Sequence, residues 1–169
     1  MRRYDEIYSE SVPFSFVKYI VLMEGGIGVA FIALYILQLT GSLGMEDELP
    51  SFFFLLMALI MFAVAAFIST LTKLQIGITP DSLRASFGFI KTEIPLDAVT
   101  AVYTDEKSSL KYGGWGVRMK KDREGWVLAY TTIGYKRVAL ELEGHKYSRF
   151  IFSTANPEEV ENVLKKYVR

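Results

Sequence analysis

Few side chains in this sequence could support catalysis. The chain contains no cysteine, so disulfides, thiol nucleophiles and cysteine-ligated zinc or iron–sulfur sites are excluded. It contains one histidine, His145, which argues against a histidine-ligated metal centre and against a Ser–His–Asp triad. We see no phosphate-binding loop and no pairing of a nucleophile with a base. We therefore expect a protein that is not an enzyme and that uses no metal or cofactor.

The most distinctive polar segment is a Gly-Gly-Trp-Gly motif. Gly113, Gly114 and Gly116 surround Trp115, and Arg118 follows two residues later. Glycine permits positive φ or a close approach of the backbone to another group. One interpretation is a peptide- or ligand-binding edge, with Trp115 as its anchor and Arg118 as a charge partner. The other is a bulged strand whose tryptophan fills one end of a barrel.

The densest basic group overlaps this motif. Its members are Lys111, Arg118, Lys120, Lys121 and Arg123, and Asp122 and Glu124 are interspersed among them. One interpretation is contact with anionic lipid headgroups, at about 1 kcal/mol for each base near the surface. The other is a solvated hairpin. The sequence shows no concentrated basic stripe, so we expect no nucleic-acid partner.

Two apolar runs dominate the first part of the chain. Val17–Leu39 and Phe52–Leu71 are each about long enough to span a bilayer, which takes roughly 20 residues in a helix. The first run is too long for the apolar part of a cleavable signal, and no small-residue cleavage pattern follows it. The sequence therefore predicts a transmembrane hairpin within residues 1–72 and a separate domain over residues 73–169, in the cell membrane.

Charge near the helix ends predicts the orientation of this hairpin. Arg2, Arg3 and Lys18 precede the first helix and Lys73 follows the second, whereas the loop 40–51 contains three acids and no Lys or Arg. Lys and Arg favour the cytoplasmic side of a membrane. We therefore expect both termini in the cytoplasm and loop 40–51 outside the cell.

Glu24 is the only ionisable residue that lies well inside either predicted span. It could serve as a coupling carboxylate or ion site, because charges inside a membrane are costly and often functional. Alternatively, it lies close enough to Lys18, six residues earlier, to reach headgroups or water. The neighbouring glycines at 25, 26 and 28 predict close helix packing, against alanines of the second helix or against another copy of the chain.

Beyond residue 73 the pattern changes to short alternating strands. Leu74–Ile78 alternates apolar and polar residues, Thr79–Ser82 forms a turn, and further strands follow up to Ser153. Asn156 and Pro157 then begin an amphipathic helix. The sequence predicts about seven antiparallel strands in a partly open barrel, closed by this C-terminal helix.

This order of elements resembles bacterial and archaeal membrane-anchored proteins that carry a pleckstrin-homology-like (PH-like) domain. The matching segments are Ile78–Leu83, Ile94–Val99 and Asn156–Val160, together with the motif at Tyr112–Arg118. The resemblance covers about residues 14–168 and implies a PH-like α+β domain after a two-helix membrane anchor. Phosphoinositide-binding PH domains carry several bases near the first strand loop, but Thr79–Ser82 contains an acid. Specific phosphoinositide recognition is therefore not expected.

Two functional hypotheses follow. The first is a membrane-tethered, non-enzymatic interaction or scaffold module that assembles proteins at the cytoplasmic membrane face, with a membrane protein or a second copy of itself as partner. The second is an accessory or oligomeric core subunit of a transporter or channel, which would use Glu24 and the glycine-rich face. Both place the chain in the lipid bilayer.

Overall fold

The computed structural model describes residues 6–42, 50–106 and 114–168. Its chain divides into two compact units. One is a pair of helices within Ser15–Thr72, and the other combines the described residues up to Phe14 with those from Lys73 onward. We describe the helical unit first and the β-rich unit second.

The helical unit consists of α1 (Phe16–Leu39) and α2 (Phe52–Ser69). These bounds agree with the predicted spans to within two residues. At 1.5 Å per residue, the 24 residues of α1 extend about 36 Å and the 18 residues of α2 about 27 Å, and both lengths fall within the roughly 17–25 residues with which helices cross a hydrocarbon core of about 30 Å. Only 6% of the apolar window of α1 and 17% of that of α2 is covered by the rest of the chain. By length and composition, both helices could cross a membrane.

The two helices pack along one face each. The less exposed positions recur at spacings of three and four, as helix packing requires: Val17, Val21, Glu24, Gly28, Phe31, Tyr35 and Gln38 on α1, and Phe54, Ala58, Met61, Ala65 and Ile68 on α2. A Cβ added to Gly28 would lie 3.1 Å from Cζ of Phe62, whereas one added to Gly25 or Gly26 would meet nothing within 4 Å. Gly28 therefore packs on an aromatic ring rather than on the alanines expected from sequence.

The first strand of the β-rich unit precedes the helices. Strand β1 (Tyr8–Pro13) pairs antiparallel with β2 (Lys73–Ile78), which pairs with β3 (Ser82–Phe87) and through it with β4 (Ile90–Pro95). The division expected at residue 73 differs from this arrangement because residues 8–13 complete the sheet of the second unit. The two helices are thus inserted between adjacent strands.

The second sheet contains the remaining five strands. They are β5 (Val99–Asp105), β6 (Gly116–Lys121), β7 (Trp126–Thr131), β8 (Lys136–Leu142) and β9 (Arg149–Thr154), in the order β5-β8-β9-β7-β6. The 3₁₀ turn Leu96–Ala98 leads the chain from the first sheet into the second. Within the described ranges there are nine strands, not about seven, and β7 and β9 run parallel. The predicted barrel does not close, because the strands form two separate sheets.

An aromatic core lies between the two sheets. Phe87 of β3 stacks on Tyr130 of β7 at 6.0 Å between ring centroids, and Tyr130 contacts Phe150 of β9 at 5.7 Å. The hydroxyls of Tyr130 and Thr92 lie 2.7 Å apart, which gives the buried phenol a polar partner. Burial nevertheless raises the pKa of Tyr130. Helix α3 (Pro157–Lys165) buries its apolar face, including Val160 and Leu164, against β5 and β8.

Glu10 fastens β1 to the other end of the chain. Its Oε1 accepts a hydrogen bond from the Ala155 amide at 2.7 Å, and its Oε2 accepts bonds from the hydroxyls of Thr154 and Tyr8. Val12 is fully buried at the same time. Burial raises the pKa of Tyr8, and the Glu10 carboxylate beside it raises that pKa further. Strand β1 is therefore an integral part of the domain.

Replacing Glu10 by Ala should destabilise the β-rich unit by about 1–3 kcal/mol, because it leaves the Ala155 amide and two hydroxyls without their acceptor. Ser9→Ala, on the opposite face of β1, should change stability by about 0.5 kcal/mol or less. Chemical denaturation of the full chain, followed by tryptophan emission, would measure both. Equal effects for the two variants would contradict the role assigned to Glu10.

Replacing Gly28 by Leu should weaken the helix pair by about 1–3 kcal/mol, because the new side chain meets the Phe62 ring. Gly26→Leu is the matched control, since space is open there. The midpoint of unfolding in sodium dodecyl sulfate, followed by far-ultraviolet circular dichroism, would compare them. A loss of stability in Gly26→Leu but not in Gly28→Leu would show that α1 presents a different face to α2.

Candidate binding edge

Strand β6 forms one edge of the second sheet. It pairs with β7 from Gly116 opposite Thr131 to Lys121 opposite Trp126. Within the described ranges no other strand pairs with its free side. The side chains from Arg118 to Lys121 are exposed. An edge strand presents unpaired backbone N–H and C=O groups that can accept an additional strand.

Two glycines set the backbone at the start of β6. Gly114 has φ 98° and Gly116 has φ 87°, a region that residues with a side chain rarely adopt. A Cβ at either position would meet nothing within 4 Å, so backbone conformation rather than crowding requires glycine there. The Gly114 carbonyl accepts a hydrogen bond from the Thr131 hydroxyl at 2.9 Å. The other residues predicted for this site, Gly113 and Lys111, lie outside the described residues.

The Trp115 side chain is 40% exposed. A tryptophan that plugged the interior would be buried, as Tyr130 and Phe150 are, so Trp115 does not fill the core of this domain. Trp126 is 44% exposed and stands opposite Lys121, the last residue of β6. Both tryptophans of the chain thus flank β6. Large, partly exposed aromatic side chains are typical anchors of protein interfaces.

Three of the basic side chains of this region are concentrated on β6. Arg118, Lys120 and Lys121 lie on the strand, which contains no acid. Asp122 and Glu124, the acids interspersed in this region, instead form ion pairs with Arg149 at 3.6 and 2.7 Å.

Arg149 is the centre of a network on the second sheet. Its Nε donates to Glu141 at 2.8 Å, and Glu141 also accepts a hydrogen bond from the Tyr103 hydroxyl. Burial lowers the pKa of the Arg149 guanidinium, but Glu141, together with Tyr103 and Glu124, outweighs that effect and the pKa is raised. Nothing local in the sequence marks these residues as partners, because their contacts depend on the order of the strands.

The other residues predicted to be functional lie elsewhere. Glu24 is half-buried on the face of α1 that packs towards α2. His145 is in the connection between β8 and β9, where its Nδ1 accepts a hydrogen bond from the Tyr147 amide at 3.2 Å. Arg123 is exposed in the turn after β6. The structure therefore brings Trp115, Arg118, Lys120 and Lys121 together on one edge and leaves Glu24 and His145 apart from it.

Comparison with family models, with curated proteins and with solved structures finds no significant match. Across the described ranges there is no group of three or more His, Cys, Asp or Glu side chains that could hold a metal ion. The functional argument therefore depends on the geometry of this chain alone.

Replacing Trp115 by Ala should cost about 1 kcal/mol, well below the 3–5 kcal/mol expected for truncating a fully buried aromatic residue. Phe150→Ala, at a fully buried position in the core, is the comparison and should show the larger loss. Thermal unfolding of the full chain in detergent would measure both. A loss for Trp115→Ala as large as that for Phe150→Ala would return this tryptophan to a structural role.

Proposed function

We propose that this chain is a membrane-tethered, non-enzymatic interaction module of the PH-like kind, which assembles proteins at the cytoplasmic face of the cell membrane. One observation carries the proposal. A pair of apolar helices, largely uncovered by the rest of the chain, is inserted between two adjacent strands of a folded domain. A surface that is apolar on all sides requires an apolar environment, and the inserted position fastens the domain to it.

Two short chain segments connect the helix pair to the β-rich domain. Two residues separate β1 from α1, and three separate α2 from β2. At up to about 3.6 Å per residue, such links reach roughly 7–11 Å. A single long linker would let the domain sample the cytosol, whereas two short links limit how far it can move from the membrane. This restriction supports assembly with partners that are themselves at the membrane.

The proposed orientation follows from the charge pattern. Lys18 lies in the first turn of α1 and Lys73 follows α2, while loop 40–51 carries three acids and no base. The positive-inside tendency then favours a cytoplasmic β-rich domain. The β6 edge would face partners on that side.

We propose no catalytic role, because three prominent polar contacts of this domain hold its structure together. Asp105 pairs with Arg137 at 3.3 Å, Thr92 pairs with Tyr130, and Glu10 holds the Ala155 amide. Each of these contacts joins strands or chain ends that are distant in sequence.

A second candidate function is an oligomeric core or accessory subunit of a transporter or channel. It is favoured by the half-buried carboxylate of Glu24 and by the open space beside Gly25 and Gly26. Two helices alone do not enclose a pore, so this function requires several copies. Glu24→Gln should abolish flux under this hypothesis and leave partner assembly unchanged under the first.

Cysteines introduced at Ser42 and Lys91 should label differently on intact cells, since the chain has no native cysteine and both positions are exposed. An impermeant maleimide should modify Ser42→Cys and spare Lys91→Cys until the cells are lysed. The reverse pattern would invert the proposed orientation. Labelling of both positions on intact cells would place both on the outer side of the membrane and would contradict a spanning helix pair.

Assembly is testable on the full chain extracted in mild detergent. Light scattering should report a particle larger than one chain, and Trp115→Ala should reduce it while lowering the unfolding temperature by only the few degrees that about 1 kcal/mol implies. Phe89→Ala, at an exposed aromatic residue of the β3–β4 turn, is the matched control. A monodisperse single chain without partners would overturn the interaction function.

A further inference from the structure

The turn between β3 and β4 exposes an aromatic side chain. Phe89 is 76% exposed, and among the described residues no large apolar side chain is more exposed, those of the two apolar helices included. The turn has two residues, and Gly88 at its first position has φ 53°, a conformation suited to glycine in a two-residue hairpin turn. Phenylalanine is not among the residues that turns favour. The turn itself therefore gives no reason for an aromatic residue at position 89.

The register of the first sheet places this turn at one particular end. In the pairing of β2 with β3, Leu74 is opposite Phe87, the last residue before the turn. In the pairing of β1 with β2, Pro13 is opposite Lys73. The chain leaves for α1 after Pro13 and returns from α2 at Lys73. The β3–β4 turn therefore lies at the end of the sheet to which both apolar helices are connected.

The two ends of this sheet differ in chemistry. At the far end, β2 joins β3 through residues 79–82, which contain one acid and no large apolar side chain. The end connected to the helices instead exposes Phe89 and Ile90, and Lys73 and Lys91 are exposed beside them. Apolar side chains with neighbouring lysines suit a membrane interface, where the apolar groups enter the acyl boundary and the lysines reach the headgroups.

We propose that the β3–β4 turn inserts Phe89, with Ile90 beside it, into the interface of the bilayer that holds α1 and α2. The links of two and three residues limit how far this end of the sheet can lie from that bilayer. Transfer of the exposed ring from water to the acyl boundary is favourable and requires no particular headgroup. The turn thus adds a third attachment, which restricts how the domain tilts about its two links. This inference rests on the proposed membrane function and adds a direct lipid contact of the β-rich domain.

A single tryptophan at a chosen position measures contact with the bilayer. Trp115→Phe and Trp126→Phe remove the native emission, and Phe89→Trp, Asp81→Trp or Leu59→Trp is then added to that chain. In liposomes of neutral lipid brominated near the headgroup end of its acyl chains, position 89 should be quenched severalfold more than position 81, which lies in the far turn. Position 59, exposed on α2, is the reference for a side chain within the membrane. Circular dichroism checks that each variant is folded.

A nitroxide label gives a second measurement in a chain that keeps both native tryptophans. The chain has no cysteine, so Phe89→Cys and Asp81→Cys each carry the label at one position. Relaxation of the label at position 89 should respond more to oxygen, which concentrates in the bilayer, than to a water-soluble nickel complex. The label at position 81 should show the reverse preference.

The reference at position 59 separates failure of this inference from failure of the proposed function. If position 89 is no more quenched than position 81 while position 59 is quenched, the turn does not enter the bilayer and the membrane attachment stands. Equal, strong quenching at positions 89 and 81 would also overturn the inference, since both ends of the sheet would then contact lipid. If position 59 is not quenched, the helices lie outside the bilayer and both proposals fail.

Discussion

The pairing of β1 with β2 is the contact on which the architecture of this protein depends. Two antiparallel helices leave their outer ends about 8–10 Å apart, and two adjacent strands lie about 4.8 Å apart. These spacings are close enough for two short links to join them. Pro13 and Lys73, the residues nearest the links, are paired in the sheet. The helices can therefore interrupt a β-hairpin without disturbing its register.

Strand β1 is also held by contacts beyond its pairing with β2. Strand β1 lies at the edge of its sheet, where hydrogen bonds to one neighbour alone would hold it weakly. The Glu10 contacts to Thr154 and Ala155 add a support from the last strand and the start of α3. Phe14, directly after β1, packs on Phe87 of the core at 6.0 Å between ring centroids. Strand β1, which leads into α1, is thus held by the interior of its own domain as well as by its pairing with β2.

The sequence predicted some of these features better than others, for physical reasons. The helices α1 and α2 could be placed within two residues because their signal is continuous apolar composition. Strand β1 could not be found, since Val12 is its only fully buried side chain and its partner β2 is far along the chain. The position of β9 between β7 and β8 depends on tertiary pairing that no local pattern records.

The candidate binding edge was likewise only partly predictable from the sequence. The glycines and Trp115 could be recognised from residue types alone, and the basic group from its density. The exposure of Trp115 could not be predicted, because a bulged strand and a contact edge use the same residues. The ion pairs of Asp122 and Glu124 with Arg149 also depend on where β9 lies, so no local pattern in the sequence could predict them.

The strand order also determines when this domain can finish folding during synthesis. Strand β1 is translated first, yet its partner β2 follows only after both apolar helices, and Glu10 finds Thr154 and Ala155 near the end of the chain. Strand β9 must then enter between two strands already made. Non-local pairings of this kind fold slowly. The first strand therefore stays unpaired until both helices and β2 have been synthesised, and its Glu10 contacts form only after Thr154 and Ala155 have been made.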